Sequence, residues 1–277
     1  MPKLPASFSP PSLKSLSDLD SAEGVVYQQQ RVIIDGVVSP TCQGGLRGKT
    51  QDYEVHSFTV AAWLKAGEQV RKTELDILRA AASNTKYLYD FPGCSLQRMS
   101  VLMSGDETRA IYEKSLPMET ANPDLLAIAE ELKKPVTVVA GRFGTLTLDR
   151  RIDHFDGEAI WNGEKTKVTF RSKDGKPDQA AIENSEKLWS NEFHWEKRIK
   201  VIAVEDLLEL KNENWSDEDD PEFTAEEFVK RMTLQTICVQ NDGRFEFWYD
   251  DGDLFSGHSI VVRGSLEKGI RDASIQG

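Results

Sequence analysis

The chain has 277 residues, of which 39% are hydrophobic and 29% charged, and its apolar runs are all too short for a membrane-spanning helix. These proportions are typical of a soluble protein with one large domain or two ordinary ones, and they predict no membrane partner. The formal net charge of -12 argues against a nucleic-acid partner, because such binding depends on neutralising phosphates with Lys and Arg.

The beginning of the chain differs in composition from the rest. Residues 1–22 are rich in Pro and Ser and lack the apolar centre of a signal peptide, so we predict a disordered arm and a cytoplasmic location. The 3 cysteines are an odd number without CxxC spacing, which argues against a disulfide framework and a zinc ribbon. They are Cys42, Cys94 and Cys238.

The first half combines strand-like and helical patterns. Residues 24–39 and 53–64 are rich in β-branched and aromatic residues and predict strands, joined by a flexible glycine-containing connection. Residues 73–82 have apolar side chains at helical spacing behind a Thr cap and predict a short helix. Residues 86–104 return to strand character around a Pro-Gly turn, and residues 122–135, with an Asn cap before Pro, predict a second helix.

The second half opens with a predicted meander of three strands and closes with a second set of three. Asn162-Gly163 and Asp242-Gly243 lie between strand-like runs and have the composition of type I′ hairpin turns. We therefore expect tight hairpins in both sets.

Three helices are predicted between these two sets of strands. The first carries Pro177 in its first turn, the second spans residues 192–212 with an apolar stripe, and the third begins with a capping box from Thr224 to Glu227. Segregated strands and helices indicate an α+β fold of antiparallel sheets with helices packed on one face, not a doubly wound sheet. We divide the chain into two consecutive α+β units after the arm, over residues 23–135 and 136–277.

The second half contains the motifs FGTLTLDRRIDHFDGEAIWNG, LLELKNENW, TAEEFVKRM and FWYDDGDLFSGHSIVVRG. With these motifs it resembles a bacterial family. Its motifs occur there in the same order, over about residues 136–277, in the domain-of-unknown-function family numbered twenty-two sixty-two. The resemblance implies no activity, and by analogy it points to the small α+β domains found among immunity proteins of bacterial toxin systems.

Motifs for common catalytic chemistry are incomplete. Gly48-Lys49-Thr50 matches the end of a phosphate-binding loop, but Gln43 stands where that pattern needs glycine, and a strand-like run follows instead of a helix. No helix N-terminus follows Cys94 to lower the pKa of its thiol, which argues against a role for this residue as a nucleophile. The four histidines show no zinc-binding spacing, so we predict no metal and no cofactor. They are His56, His154, His194 and His258.

The negative charge is concentrated in the second half. Up to Thr137 there are 15 Lys and Arg against 17 Asp and Glu, whereas from Val138 onward there are 19 against 29. An acidic segment beside a tryptophan is either a solvated linker or a docking surface for a basic protein. It has no glycine where a calcium loop needs one. Its candidate contact residues are Trp215, Asp217, Glu218, Asp219, Asp220 and Glu222.

A second loop of interest is FEFWYDDGDLFSGHSI, which contains Asp250, Asp251, Asp253 and His258. Its residue types suit a turn in which Asp side chains cap backbone amides and His258 bonds to an aspartate. They also suit a ligand site.

The leading hypothesis is a non-enzymatic cytoplasmic binding protein, an immunity protein that covers a basic cognate toxin. The alternatives are a hydrolase or transferase that uses the aspartate loop, or a ligand-sensing scaffold.

Overall fold

A computed structural model describes residues 25–41, 45–49, 53–82, 91–215 and 221–277. The chain divides into two compact units, one reaching Lys134 together with Arg150–Ile152, and one formed by Pro135–Asp149 and Asp153–Gly277. Each unit has a β-sheet and at least one helix, which confirms the predicted α+β class. In the described part of the chain, no helix has the length and apolar character needed to cross a bilayer.

The first unit is built around a five-stranded barrel. Its strands pair in the order β1-β5-β6-β4-β3 and close from β3 back to β1, while β2 pairs with β3. The pairs are antiparallel except β4 with β6. Its elements are β1 (Tyr27–Val38), β2 (Gly45–Lys49), β3 (Tyr53–Lys65), β4 (Leu75–Ala82), β5 (Leu96–Ser104), β6 (Arg109–Leu116) and α1 (Pro123–Lys133).

The barrel has the connectivity of an OB-fold. Counted along the chain without β2, the barrel strands lie in the order first, second, third, fifth, fourth, and the third and fifth are parallel. OB barrels that bind nucleic acid combine a basic groove with exposed aromatic side chains. The outward side chains of β4 include Asp76 and the buried Leu78, so the connectivity does not by itself assign a ligand.

The predicted helix over residues 73–82 is wrong, because this segment forms strand β4. Leu75 and Ile77 enter the main barrel core, and Leu78 is buried on the opposite side. With both faces covered, the apolar residues fall at spacings that imitate a helix. Pairing with β3 and β6 supplies the backbone hydrogen bonds, and a helix this short would be marginal without such support.

Two other predictions for the first unit have different outcomes. The connection after β1 was expected to be flexible, but it contains strand β2, antiparallel to β3. The helix after residue 122 is confirmed: the Asn122 side chain accepts hydrogen bonds from the amides of Asp124 and Leu125. Leu125 and Ala129 are buried against the barrel, since they lie one helical turn apart on the same face.

The second unit is a nine-stranded sheet. Its strands pair in the order β15-β14-β13-β12-β10-β9-β8-β7, with β11 on β10. Its strands are β7 (Thr137–Val139), β8 (Thr145–Asp149), β9 (His154–Trp161), β10 (Glu164–Lys173), β11 (Lys176–Pro177), β12 (Thr233–Val239), β13 (Arg244–Asp250), β14 (Ser259–Ser265) and β15 (Gly269–Gln276). Its helices are α2 (Gln179–Trp189), α3 (Glu192–Asn214) and α4 (Ala225–Arg231), and a 3-10 turn spans Gly141–Phe143.

The predicted order of three strands, three helices and three strands is too simple. The first set also contains β7 and the short β11, and the second also contains β15, each paired with the strand next to it in the chain. The predicted antiparallel sheets each contain one parallel pair, β4 with β6 in the first unit and β10 with β12 in the second. The three helices carry the chain from one strand to the other, and a parallel pair requires such a crossover.

Local signals in the second unit are confirmed in part. Asn162 and Gly163 have φ of 48° and 87°, as a type I′ turn requires. The type I′ prediction at Asp242 is wrong: the Gly243 amide bonds to the Gln240 carbonyl at 3.1 Å, and of the Asp-Gly pair only Gly243 has positive φ. This is a type I turn followed by a left-handed glycine, a common three-residue hairpin loop.

The predicted start of α2 is corrected by the structure, and the predicted start of α4 is confirmed. Pro177 lies in β11, and Asp178 caps α2 by accepting the Ala180 amide. The capping box at the start of α4 is present in both directions between Thr224 and Glu227. The helices bury their apolar faces against one face of the sheet, where Leu188 and other helix residues join the strand core.

Candidate functional site

Asp251 organises the loop that follows β13. Its side chain is 2% exposed, and its carboxylate accepts the amides of Phe255 at 2.6 Å, Asp253 at 3.2 Å and Gly257 at 3.2 Å. Each of these contacts satisfies a backbone donor that the tight turn leaves without a strand partner. The carboxylate oxygens of Asp251 therefore build the turn.

The same loop packs against the end of α4. Asp250 accepts the Gly252 amide at 2.9 Å, and the Arg231 guanidinium donates to the Gly252 carbonyl at 2.9 Å. Gly252 has φ of 53°, and a Cβ at this position would lie 2.6 Å from the Arg231 carbonyl oxygen. Glycine is required here both for the backbone conformation and for the close approach.

Within the described residues, His258 is hydrogen-bonded to a carbonyl and not to the aspartate that the sequence led us to expect. Its Nδ1 is hydrogen-bonded to the Phe255 carbonyl oxygen. Its ring lies 5.4 Å from the Trp215 ring in an edge-to-face arrangement, and Trp215 also contacts Phe255 with centroids 5.6 Å apart. The structure thus joins two predicted features, the tryptophan beside the acidic segment and the histidine of the aspartate loop.

The acidic segment begins at this aromatic contact. Residues 216–220, which include Asp217, Glu218, Asp219 and Asp220, lie outside the described residues. On either side of them, Trp215 is 36% exposed and Glu222 is exposed. A partner that approached the acids would therefore also meet an indole ring.

The last turn of α3 holds both ends of the acidic segment. The buried Lys211 donates from Nζ to the Trp215 carbonyl at 2.5 Å. Asn212 donates to the Phe223 carbonyl at 3.1 Å and accepts the Phe223 amide at 2.9 Å. The Lys211 ammonium also lies 4.9 Å from the centroid of the Phe223 ring, which is a cation–π distance. We call Lys211, Asn212, Trp215 and Phe223 the segment clamp.

Sequence reasoning missed the segment clamp. Lys211 and Asn212 belong to the quoted motif LLELKNENW, but a lysine and an asparagine at a helix end are ordinarily exposed. The one available signal was their position immediately before the acids. Their roles depend on Phe223, which lies beyond the acidic segment in the chain.

The remaining sequence predictions concern metal binding, a thiol nucleophile and a phosphate-binding loop. In the described residues, no three His, Cys, Asp or Glu side chains are placed to hold a metal ion. Desolvation raises the pKa of the Cys94 thiol, which opposes thiolate formation. Of the phosphate-loop match, Gly48 and Lys49 lie in strand β2, while Gln43 and Thr50 fall outside the described residues.

Comparison with known proteins gives one family. Residues 141–275 match the family described as "Uncharacterized protein conserved in bacteria (DUF2262)". No curated protein and no solved structure matches the chain. The matched residues contain the aspartate loop and the segment clamp, and the residues before them are unassigned. The second half of this chain, from residue 141 to 275, is therefore a domain of the DUF2262 family, as its motifs indicated.

Proposed function

We propose that this chain is a non-enzymatic binding protein that captures a basic protein through the acidic segment of its DUF2262 domain. A bacterial toxin whose basic active site is covered by its immunity protein is the kind of partner that fits. The segment clamp is the observation that carries the proposal, because it holds both ends of the acidic segment to one helix turn. Fixing the ends lowers the entropy lost when a partner binds.

The charge distribution supports the same proposal. The 29 acidic against 19 basic residues from Val138 onward give this half a negative field, which speeds association with a positive surface and falls in strength with salt. Trp215 lies at one end of the segment and is 36% exposed. A partly exposed tryptophan beside charges has the character of a binding anchor.

The alternative of a hydrolase or transferase site in the aspartate loop has less support. Asp251 uses its carboxylate for three backbone amides, and the His258 Nδ1 is engaged with a carbonyl. A catalytic acid or base must have an atom within reach of its substrate. These two groups are instead used to hold the turn.

Co-purification tests the proposal. We expect the protein, expressed together with its genomic neighbours, to retain a basic partner at low salt and less of it at high salt. The double variant Asp217→Asn and Asp219→Asn should weaken binding about tenfold. The matched control is Glu205→Gln with Glu209→Gln, which removes the same charge from exposed positions of α3.

A third variant separates the clamp from the charge. Asn212→Ala leaves the net charge unchanged but removes both hydrogen bonds to Phe223, so we expect weaker binding at unchanged salt dependence. Equal partner retention by the acidic double variant and its control would contradict the proposal.

A further inference from the structure

A cleft in the second unit has a lining that includes neither the aspartates of the aspartate loop nor the residues of the segment clamp. It has a volume of about 310 Å³ and lies among α3, α4 and the strands β9, β10, β12 and β13. This volume is at the lower end for ligand pockets, which span roughly 300–1,000 Å³. It suits a molecule of amino-acid size better than a nucleotide.

The floor of the cleft is formed by buried polar groups. Trp161 is 2% exposed and donates its indole N–H to Glu196 Oε2 at 2.8 Å. Tyr249 is 1% exposed and donates its hydroxyl to the same oxygen at 3.4 Å. Burial, and then the charge of Glu196, raises the pKa of Tyr249 well above its ordinary value, so its hydroxyl remains a donor at neutral pH.

Charges of both signs line the cleft. Lys200 pairs with Glu196 Oε1 at 3.0 Å, while Glu164 and Lys230 are exposed residues of the lining. Met232 and Leu234 add apolar surface to the lining. The balanced charges do not suit a polyanion or a simple cation, because each would meet a like charge.

We propose that this cleft binds a small aliphatic zwitterion, an α-amino acid with a branched apolar side chain. Its carboxylate is placed by Lys230 and Lys200, its ammonium group by Glu164 and Glu196, and its side chain contacts Leu234 and the neighbouring apolar wall. Opposite charges on the ligand and the lining would be desolvated together, which favours charge-assisted hydrogen bonds. The proposal is independent of protein capture by the acidic segment.

Calorimetry with L-leucine tests the cleft. We expect leucine to bind, and we expect 4-methylpentanoate, which lacks the ammonium group, and 3-methylbutylamine, which lacks the carboxylate, to bind at least about tenfold more weakly. Equal binding of all three compounds would overturn the assignment of a zwitterionic ligand. The absence of any binding heat with leucine at up to about 10 mM would overturn the proposal that the cleft is a binding site.

Variants place the binding in this cleft. Glu196→Gln and Lys230→Met should each weaken leucine binding, whereas Lys197→Met, which removes the same charge from an exposed position of α3 outside the cleft, should not. Because Lys230 is exposed, its variant keeps the test valid if Glu196→Gln perturbs folding. Leucine binding that is unchanged in both cleft variants would overturn the assignment.

Discussion

Replacing Asp251 distinguishes a turn-building carboxylate from a functional one. Asp251→Ala removes the acceptor for three amides, of which that of Phe255 is buried and those of Asp253 and Gly257 lie near the surface. A buried unsatisfied donor costs about 1–3 kcal/mol, whereas a donor near water costs less. We expect a loss of about 3 kcal/mol in the free energy of unfolding, most of it from the Phe255 amide.

Asp250→Ala is the matched control, because Asp250 is exposed and accepts one amide, that of Gly252. We expect it to cost about 0.5–1 kcal/mol. Asp251→Asn should fall between the two, since its amide oxygen can still accept.

Urea unfolding followed by tryptophan fluorescence measures these losses. Five of the 6 tryptophans lie in the second unit, so the signal reports the unit that contains the loop. With an m-value of about 1–3 kcal/mol per M, the expected loss for Asp251→Ala lowers the urea midpoint by about 1 M or more. If Asp251→Ala lowered the midpoint no more than Asp250→Ala, the structural role derived for this carboxylate would be refuted.

Three other predictions test separate regions. Gly252→Ala should destabilise by about 1–3 kcal/mol, because its φ is positive and its Cβ would meet the Arg231 carbonyl; Gly257→Ala, with open space around its Cβ, should cost less in the same urea titration. Burial raises the pKa of the Cys238 thiol to about 12, so alkylation of its peptide at pH 9, followed by mass spectrometry, should be slow in the folded protein, and equal rates in folded and urea-unfolded protein would contradict this. Hydrogen bonds from Lys65 and Arg71 lower the pKa of Glu107; the resulting stabilisation is present above the unfolded pKa and lost as the pH falls through the folded value. Glu107→Gln should therefore reduce the acid sensitivity of unfolding measured by circular dichroism, while the exposed Glu74→Gln should leave it unchanged.

Parts of the candidate site could be predicted from the sequence. The turn composition of the aspartate loop correctly indicated that Asp side chains cap amides there, as Asp251 does. Which aspartate is buried was not predictable, because Asp250 and Asp251 are adjacent and chemically identical. The partner of His258 was also missed, since its Nδ1 is hydrogen-bonded to a backbone carbonyl of the same loop.

Features set by neighbours in the chain were determined by the sequence alone. Asn122 and Thr224 cap their helices, and Asn162-Gly163 forms its hairpin turn, because these conformations depend on a few consecutive residues and their own hydrogen bonds. The α+β class followed from the segregation of such elements along the chain.

Features set by distant residues were decided only by the tertiary structure. Residues 75–82 form a strand because β3 and β6 supply hydrogen bonds on both sides, which outweighs the local helical spacing. The contact of Trp215 with His258 and the bonds from Asn212 to Phe223 join segments that are apart in the chain. Such contacts exist only once the sheet and helices have packed, since no local pattern encodes which distant surfaces will meet.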